Sequence, residues 1–229
     1  MNSSKKKRLK NSEYDYKKSL KSDGSDGKIS KYLNVEKYIN RPLASLVVKM
    51  VFNTKITPNQ ITLFSFFIGL LGAVCFSVGS YSYVITGGIL IQIASVFDCS
   101  DGMLARSRGG GTIFGKYLDL FLDRVSDFII FFGVIAGVFR VTGNFEFLIL
   151  GLFTIGLYML QVNLFYINNL LEKKGTGETG EFRALGFFIL MLLSIFNRVD
   201  IFIYLLSVEV VLNLIFRILY FLKTGRELD

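Results

Sequence analysis

From about residue 60 onward the chain is a succession of long apolar stretches separated by short polar breaks. Six runs, at about 60–79, 82–99, 113–139, 146–171, 184–198 and 200–222, approach the roughly 20 residues that a helical bilayer crossing needs. The fifth is short, and Asn197-Arg198-Val199-Asp200 forms its border with the sixth. Thr57-Pro58 suits the start of the first run, because a Thr hydroxyl caps a helix and Pro tolerates the first turn. Upstream, Leu43, Leu46, Val47, Met50 and Val51 recur at helical spacing, with Lys49 and Lys55 flanking the stripe. Such a pattern predicts an amphipathic helix lying at the membrane interface over 39–56. Residues 1–30 are rich in Lys, Ser, Asp and Gly and poor in apolar residues, so disorder is expected there. The predicted layout is a basic tail (1–38), the interfacial helix (39–56), a six-span domain (57–223) and a short tail (224–229). The fold class is all-α, a polytopic membrane protein with six transmembrane helices.

Composition sharpens this picture in two ways. The chain has two cysteines, Cys75 and Cys99, and no histidine, which excludes a disulfide framework and a Cys/His zinc site. Any metal must be held by oxygen, which favours a hard divalent cation. The net charge of +8 is also unevenly spread, with 14 Lys/Arg against five Asp/Glu in the first 60 residues. No nucleic-acid recognition motif accompanies the basic stretch, so it reads as a cytoplasmic tail beside anionic lipid. The first apolar run begins too late for a signal peptide. With the N-terminus inside, Arg106, Arg108, Lys116, Lys173, Lys174, Arg183, Arg217, Lys223 and Arg226 all fall on the cytoplasmic side. The opposite side carries only Arg140 and Arg198. The positive-inside rule therefore predicts a multi-pass cell-membrane protein with both termini cytoplasmic.

Against this apolar background stands Asp98-x2-Asp101-Gly102-x2-Ala105-Arg106-x8-Gly115-x3-Asp119-x3-Asp123. Ionised side chains at membrane depth are expensive and are functional candidates by default. Asp98 and Asp101 share one helix face, as do Asp119 and Asp123, and the Arg106–Gly111 connection lets the two helices fold back on each other. Four carboxylates meeting there repel unless cations intervene; two divalent ions about 4 Å apart would neutralise them and attract phosphate. Gly102, Ala105 and Gly115 leave room for a bulky ligand, Arg106 offers a fork of donors to phosphate, and Thr112 adds a hydroxyl. Asp127 follows Arg124 by three positions and is equally readable as a structural ion-pair partner.

This string resembles, without a departure, the signature of the CDP-alcohol phosphatidyltransferases. The resemblance covers residues 40–222, with its specific motifs at 57–62 and 98–127. It implies a transferase of phospholipid or polar-solute biosynthesis that passes a phosphoalcohol group from a CDP-linked lipid or polyol to a second alcohol, releasing CMP. It further implies two Mg2+ or Mn2+ ions on Asp98, Asp101, Asp119 and Asp123, with Asp123 also the general base. Asn59, Gly102, Arg106 and Thr112 match positions that grip the CDP part. A homodimer with a cytoplasm-facing active site is the expected assembly, with membrane lipid and the two substrates as partners and no nucleic acid.

The acceptor is less sharply encoded. Phosphatidylglycerophosphate synthases tend to carry Leu-Asp-Pro and Ala-Asp-Lys around the second acidic pair, where this chain has Leu118-Asp119-Leu120 and Leu122-Asp123-Arg124. Gly109-Gly110-Gly111-Thr112 with Asp123-Arg124-Val125-Ser126-Asp127 looks more like the inositol-phosphate-using branch, as do Ser25–Ser30 and Ile39–Pro42. That branch places Lys and Arg near the end of the fourth span, where this chain has Asn168 and Leu170. Arg124, Lys173, Lys174 and Arg183 remain as candidate acceptor cations. Inositol phosphate is the expected acceptor, with serine, free inositol, glycerol phosphate or another alcohol left open. Two other classes compete: an ion or metal transporter using the acids as a pathway, and a silent scaffold acting through the basic tail. Transporters favour internal repeats and midplane sites, and neither is visible in this chain.

Overall fold

The computed structural model describes residues 34–171 and 178–225. Most of the basic tail, together with Lys173 and Lys174, lies outside the described residues. A π-helical turn, Glu36–Asn40, runs directly into α1 (Arg41–Val51). Six longer helices follow: α2 (Pro58–Val78), α3 (Tyr81–Ser107), α4 (Ile113–Thr142), α5 (Phe145–Leu171), α6 (Glu178–Ile195) and α7 (Val199–Gly225). Among the described residues every regular element is helical, as expected. Five helices, α2 to α5 and α7, are long and apolar enough to cross a bilayer, and α6 adds the shorter apolar stretch Arg183–Ile195.

Several boundaries differ from the periodicity reading, for local reasons. The second run was expected to end at residue 99, yet α3 continues to Ser107. The acids at 98 and 101 thus sit inside a helix and not at its end. α4 likewise passes 139 to Thr142, where Gly143 stops it in the left-handed region at φ 65°. The fifth run was expected over 184–198, but α6 starts six residues earlier and ends at Ile195. Asn197 adopts φ 55°, and backbone bonds from Asn197 to Ser194 and from Arg198 to Leu193 close the end. This is a left-handed cap in which Asn takes the place usual for Gly.

α2 is the packing hub, lying against both α3 and α4. Small residues make the approach close. A Cβ on Gly72 would stand 2.8 Å from Ile91 Cγ1, and one on Gly87 would stand 3.0 Å from the Gly72 carbonyl oxygen. On the other side, a Cβ on Gly133 would strike the carbonyl of Ala73, and one on Gly137 the carbonyl of Phe76. Lipid is as apolar as the helices it surrounds, so such close packing, not hydrophobic exclusion, holds membrane helices together. The core around this hub includes Phe76, Ile91, Ile130, Val134, Phe187 and Ile203.

α1 sits against α3 by one face only. Asn40 is buried, donating to Ser95 Oγ and accepting from Gln92 Nε2, each at 2.8 Å. Ala44, one turn on, is fully buried. Leu43, Leu46 and Met50 point away from the protein and are exposed. The Arg108 guanidinium fastens the turn after α1 by donating to the carbonyls of Val51, Phe52, Thr54 and Ile56 at 2.5–3.2 Å.

Gly137→Val is expected to wedge α2 from α4 and destabilise the protein by about 1–3 kcal/mol, the usual penalty for overpacking. Thermal unfolding in detergent measures this, and an unchanged midpoint would refute the close contact.

Candidate active site

Local sequence explains how the site is assembled. Thr57 starts α2 with a reciprocal cap: its hydroxyl accepts from the Gln60 N–H at 3.3 Å, and its own N–H donates to Gln60 Oε1 at 2.9 Å. This places Asn59 on a fixed first turn. Thr112 caps α4 in the same way, accepting from the Gly115 N–H at 2.9 Å. The two caps face each other, since a Cβ on Gly115 would lie 2.8 Å from Asn59 Oδ1 and 3.1 Å from Thr112 Oγ1. On the last turns of α3, Arg106 folds over Gly102, with Nη1 3.3 Å from where a Cβ would stand. Gly109 and Gly110, at φ 106° and 114°, carry the chain from α3 to α4.

The acids converge as the helical spacing predicts, but not all four meet. Asp98, Asp119 and Asp123 bring carboxylate oxygens within 4.8 Å of one another. Asp101 stands apart from that trio, buried, with Oδ2 accepting from Thr62 Oγ1 at 2.5 Å. Thr62 follows Asn59 by three positions, so it belongs to the same face of α2; that spacing was the available signal for a residue the sequence reading did not single out. The trio is an all-oxygen, acid-rich set of the kind that suits a hard divalent ion.

Arg183, on α6, occupies the centre of the charge distribution. Its Nη1 lies 3.0 Å from Asp98 Oδ2 and 2.8 Å from Asp123 Oδ1, and its Nε lies 2.8 Å from Asp127 Oδ1. Phe187 supports it from below, with its ring centroid 4.9 Å from Cζ. Asp127 is fully buried and also accepts from Tyr158 Oη at 3.0 Å and pairs with Arg124 Nη1 at 3.2 Å. The ion-pair reading of Asp127 is therefore the one the structure supports. Arg124 and Arg183, expected at the acceptor, are both engaged with aspartates.

A model of the CDP-alcohol phosphatidyltransferases matches residues 55–218. The chain belongs to this family. Archaetidylinositol phosphate synthase of Pyrococcus horikoshii is 33% identical over 177 residues, covering 74% of this chain and 85% of that protein. The phosphatidylinositol phosphate synthase of Mycobacteroides abscessus is 37% identical over 98 residues, 42% of this chain and 41% of that protein. Bifunctional IPC transferase and DIPP synthase of Aquifex aeolicus is 37% identical over 94 residues, 41% of this chain and 21% of that protein. Among solved structures, Mycobacterium tuberculosis phosphatidylinositol phosphate synthase with CDP-DAG bound gives a TM-score of 0.63 at 23% identity. That match covers 77% of this chain and 92% of the other. The same enzyme in complex with manganese and citrate gives 0.63 at 22% identity, covering 76% and 87%.

As a CDP-alcohol phosphatidyltransferase, this integral membrane transferase presents two cavities beside its acids. A small one of about 130 Å³ reaches Asp98 and Asp123 from the Glu36–Asn40 turn. A larger one, of about 430 Å³, opens on the other side of Arg124 and Arg183, between α5, α6 and α7. Tyr158, Gln161, Glu209, Asn213 and Arg217 line this second space, and the sequence reading named none of them as site residues. Tyr158 and Gln161 share a face of α5, and Glu209, Asn213 and Arg217 a face of α7, but only the packing of α5 on α7 brings the two sets together.

Removing one partner from a buried ion-pair network is costly, about 3–5 kcal/mol. Arg183→Leu should lower stability by that order in detergent without divalent ions, and added Mn2+ should restore part of the loss. An unaltered melting temperature would show that the guanidinium does not hold these acids together.

Proposed function

We propose that the protein transfers a phosphoalcohol group from a CDP-linked lipid to inositol phosphate at a cytoplasm-facing site. The observation that carries this reading is the convergence of Asp98, Asp119 and Asp123 beside the paired caps of α2 and α4. Asn59, Gly102, Arg106 and Thr112 gather where α2 begins, α3 ends and α4 begins, which supports their assignment to the CDP part. Asp98, Asp101, Asp119 and Asp123 would hold two divalent ions, Mg2+ or Mn2+; the manganese complex of the tuberculosis enzyme supports that choice. Such ions, when bound, neutralise the diphosphate and make its phosphorus more electrophilic. Asp101 accepts from Thr62 through Oδ2, which leaves its Oδ1 as the oxygen it would offer to an ion.

In the transfer, the acceptor hydroxyl oxygen forms a new bond to the phosphorus carrying the alcohol. The bond from that phosphorus to the oxygen of CMP breaks, and CMP departs with the electron pair. The hydroxyl proton passes to Asp123, since an alcohol is a poor nucleophile at neutral pH without a base in hydrogen-bond reach. Arg183, bonded to Asp123 Oδ1, orients that carboxylate.

Inositol phosphate is the acceptor that the names of the relatives support. The larger cavity shares Arg124 and Arg183 with the smaller one that reaches Asp123, and it has the size of a small-molecule site. Arg124, Arg183 and Arg217 are among its lining residues, which suits an anionic substrate. The membrane arrangement belongs to the same proposal: six crossings counting α6, both termini cytoplasmic, and α1 embedding Leu43, Leu46 and Met50 in the interface. The domain layout of tail, interfacial helix and six-span body follows from it. A homodimer is supported by the family resemblance.

Asp123→Asn is expected to keep affinity for the CDP-linked donor while losing turnover by about two to four orders of magnitude, the range for removing a general base. Single-turnover CMP release and donor binding measure the two effects, and near-normal turnover would remove Asp123 from the role. Chelating divalent ions with EDTA should abolish CMP release, with Mg2+ or Mn2+ restoring it. Full activity in EDTA would overturn the metal assignment.

A further inference from the structure

The larger cavity contains a carboxylate that the proposed chemistry does not use. Glu209 lies on α7 at membrane depth, where an acid is expensive to keep. Gln161 Nε2 donates to its Oε1 at 3.2 Å, and Asn213 Nδ2 donates to the same oxygen. Among the described residues no cation pairs with it. Amide donors orient this carboxylate without neutralising it. Gln161 presents a second acceptor, because its own carbonyl oxygen is buried with no hydrogen-bond partner among the described residues. Gln161 Oε1 is thus a buried acceptor left unmet and Glu209 an exposed carboxylate beside it, a pairing that suits a ligand bringing donors.

Glu209, Asn213 and Arg217 follow one another at four-residue intervals on one face of α7, and all three line the cavity. Over that row, about 12 Å long at helical rise, the wall changes from acceptor-rich to cationic. Arg217 holds its guanidinium 5.3 Å from the centre of the Phe165 ring. A phosphate monoester is largely dianionic at neutral pH and is repelled by Glu209, and an acyl chain has no hydrogen-bond donor to offer it. A polyhydroxylated ring has several donors and also accepts from the Asn213 and Gln161 amides.

From this arrangement we propose that Glu209, positioned by Gln161 and Asn213, reads the ring hydroxyls of a polyol phosphate acceptor, with Arg217 facing its phosphate. The inference rests on the acceptor reading above and assigns Glu209 as a specificity-determining residue, not a catalytic one. Charge-assisted bonds to hydroxyls are the strong kind, and a site built for them discriminates sharply against analogues lacking the group.

The test compares wild type, Glu209→Gln and Gln161→Leu in detergent or proteoliposomes, following CMP release from CDP-diacylglycerol. Glu209→Gln keeps the shape and removes the charge. It should raise KM for inositol phosphate about tenfold to a hundredfold, the effect of losing a hydrogen bond to a charged group. KM for the donor should stay within about twofold, on the principle that contacts outside the donor pocket act independently. Wild type should discriminate against deoxy-inositol phosphates, and Glu209→Gln should lose that preference; a merely structural role would not move this ratio. Gln161→Leu should shift acceptor KM in the same direction. Wild-type activity on inositol phosphate with unchanged acceptor KM in Glu209→Gln overturns this inference alone. A rise in donor KM instead assigns the cavity to the lipid tail and also overturns it. Wild-type turnover with serine but not inositol phosphate overturns both this inference and the acceptor reading.

Discussion

Mutual repulsion among carboxylates in an apolar environment is the constraint around which this protein is organised. Asp98, Asp119, Asp123 and Asp127 come from two helices, and nothing in α3 or α4 alone would hold them together. Arg183 supplies the missing charge from a third helix, touching Asp98, Asp123 and Asp127 with one guanidinium. Arg124 and Tyr158 complete the set around Asp127. A planar fork with several donors suits this task where a lysine point charge would not. The helix that brings Arg183 carries the shorter apolar stretch Arg183–Ile195 and packs against α3.

The knot also divides the interior into two compartments. On one side lie the caps of α2 and α4, with Asn59, Gly115 and Thr112 in close approach. On the other lies the cavity between α5, α6 and α7. The smaller cavity beside Asp98 and Asp123 and the larger one share Arg124 and Arg183 as lining residues. Position thereby distinguishes carboxylates of the same type. Asp98, Asp119 and Asp123 face a shared space, Asp101 is bonded to Thr62, and Asp127 is enclosed by arginines and a tyrosine. Their pairing geometry, not their residue type, separates the roles.

Small residues make this arrangement possible at a distance from the chemistry. Gly72 against Gly87 and Gly133 against Ala73 allow α2 to approach both acid-bearing helices with backbone nearly in contact. That approach sets the spacing of α3 and α4, and so the distance between Asp98 and the pair at 119 and 123. Arg108 performs a related task at the surface, where it fastens the turn between α1 and α2. The α1 segment is consequently tied to the end of α3 that bears Arg106.

Much of this was legible in the linear chain, because it depends on period and local chemistry. Long apolar runs required membrane helices, Thr57-Pro58 marked a start, and the three- and four-residue spacings put each acidic pair on one face. The string from Asp98 to Asp123 was specific enough to indicate the family. The helix ends were less legible, since the left-handed cap at Asn197 competes with the hydrophobicity that continues around it. What the tertiary structure alone decided was which groups from separate helices meet: Arg183 with three aspartates, Thr62 with Asp101, and Gln161 with Glu209. Sequence spacing determines neighbours along one helix, but contacts across the bundle depend on the rotation and separation of helices. Those are settled only when the backbones pack.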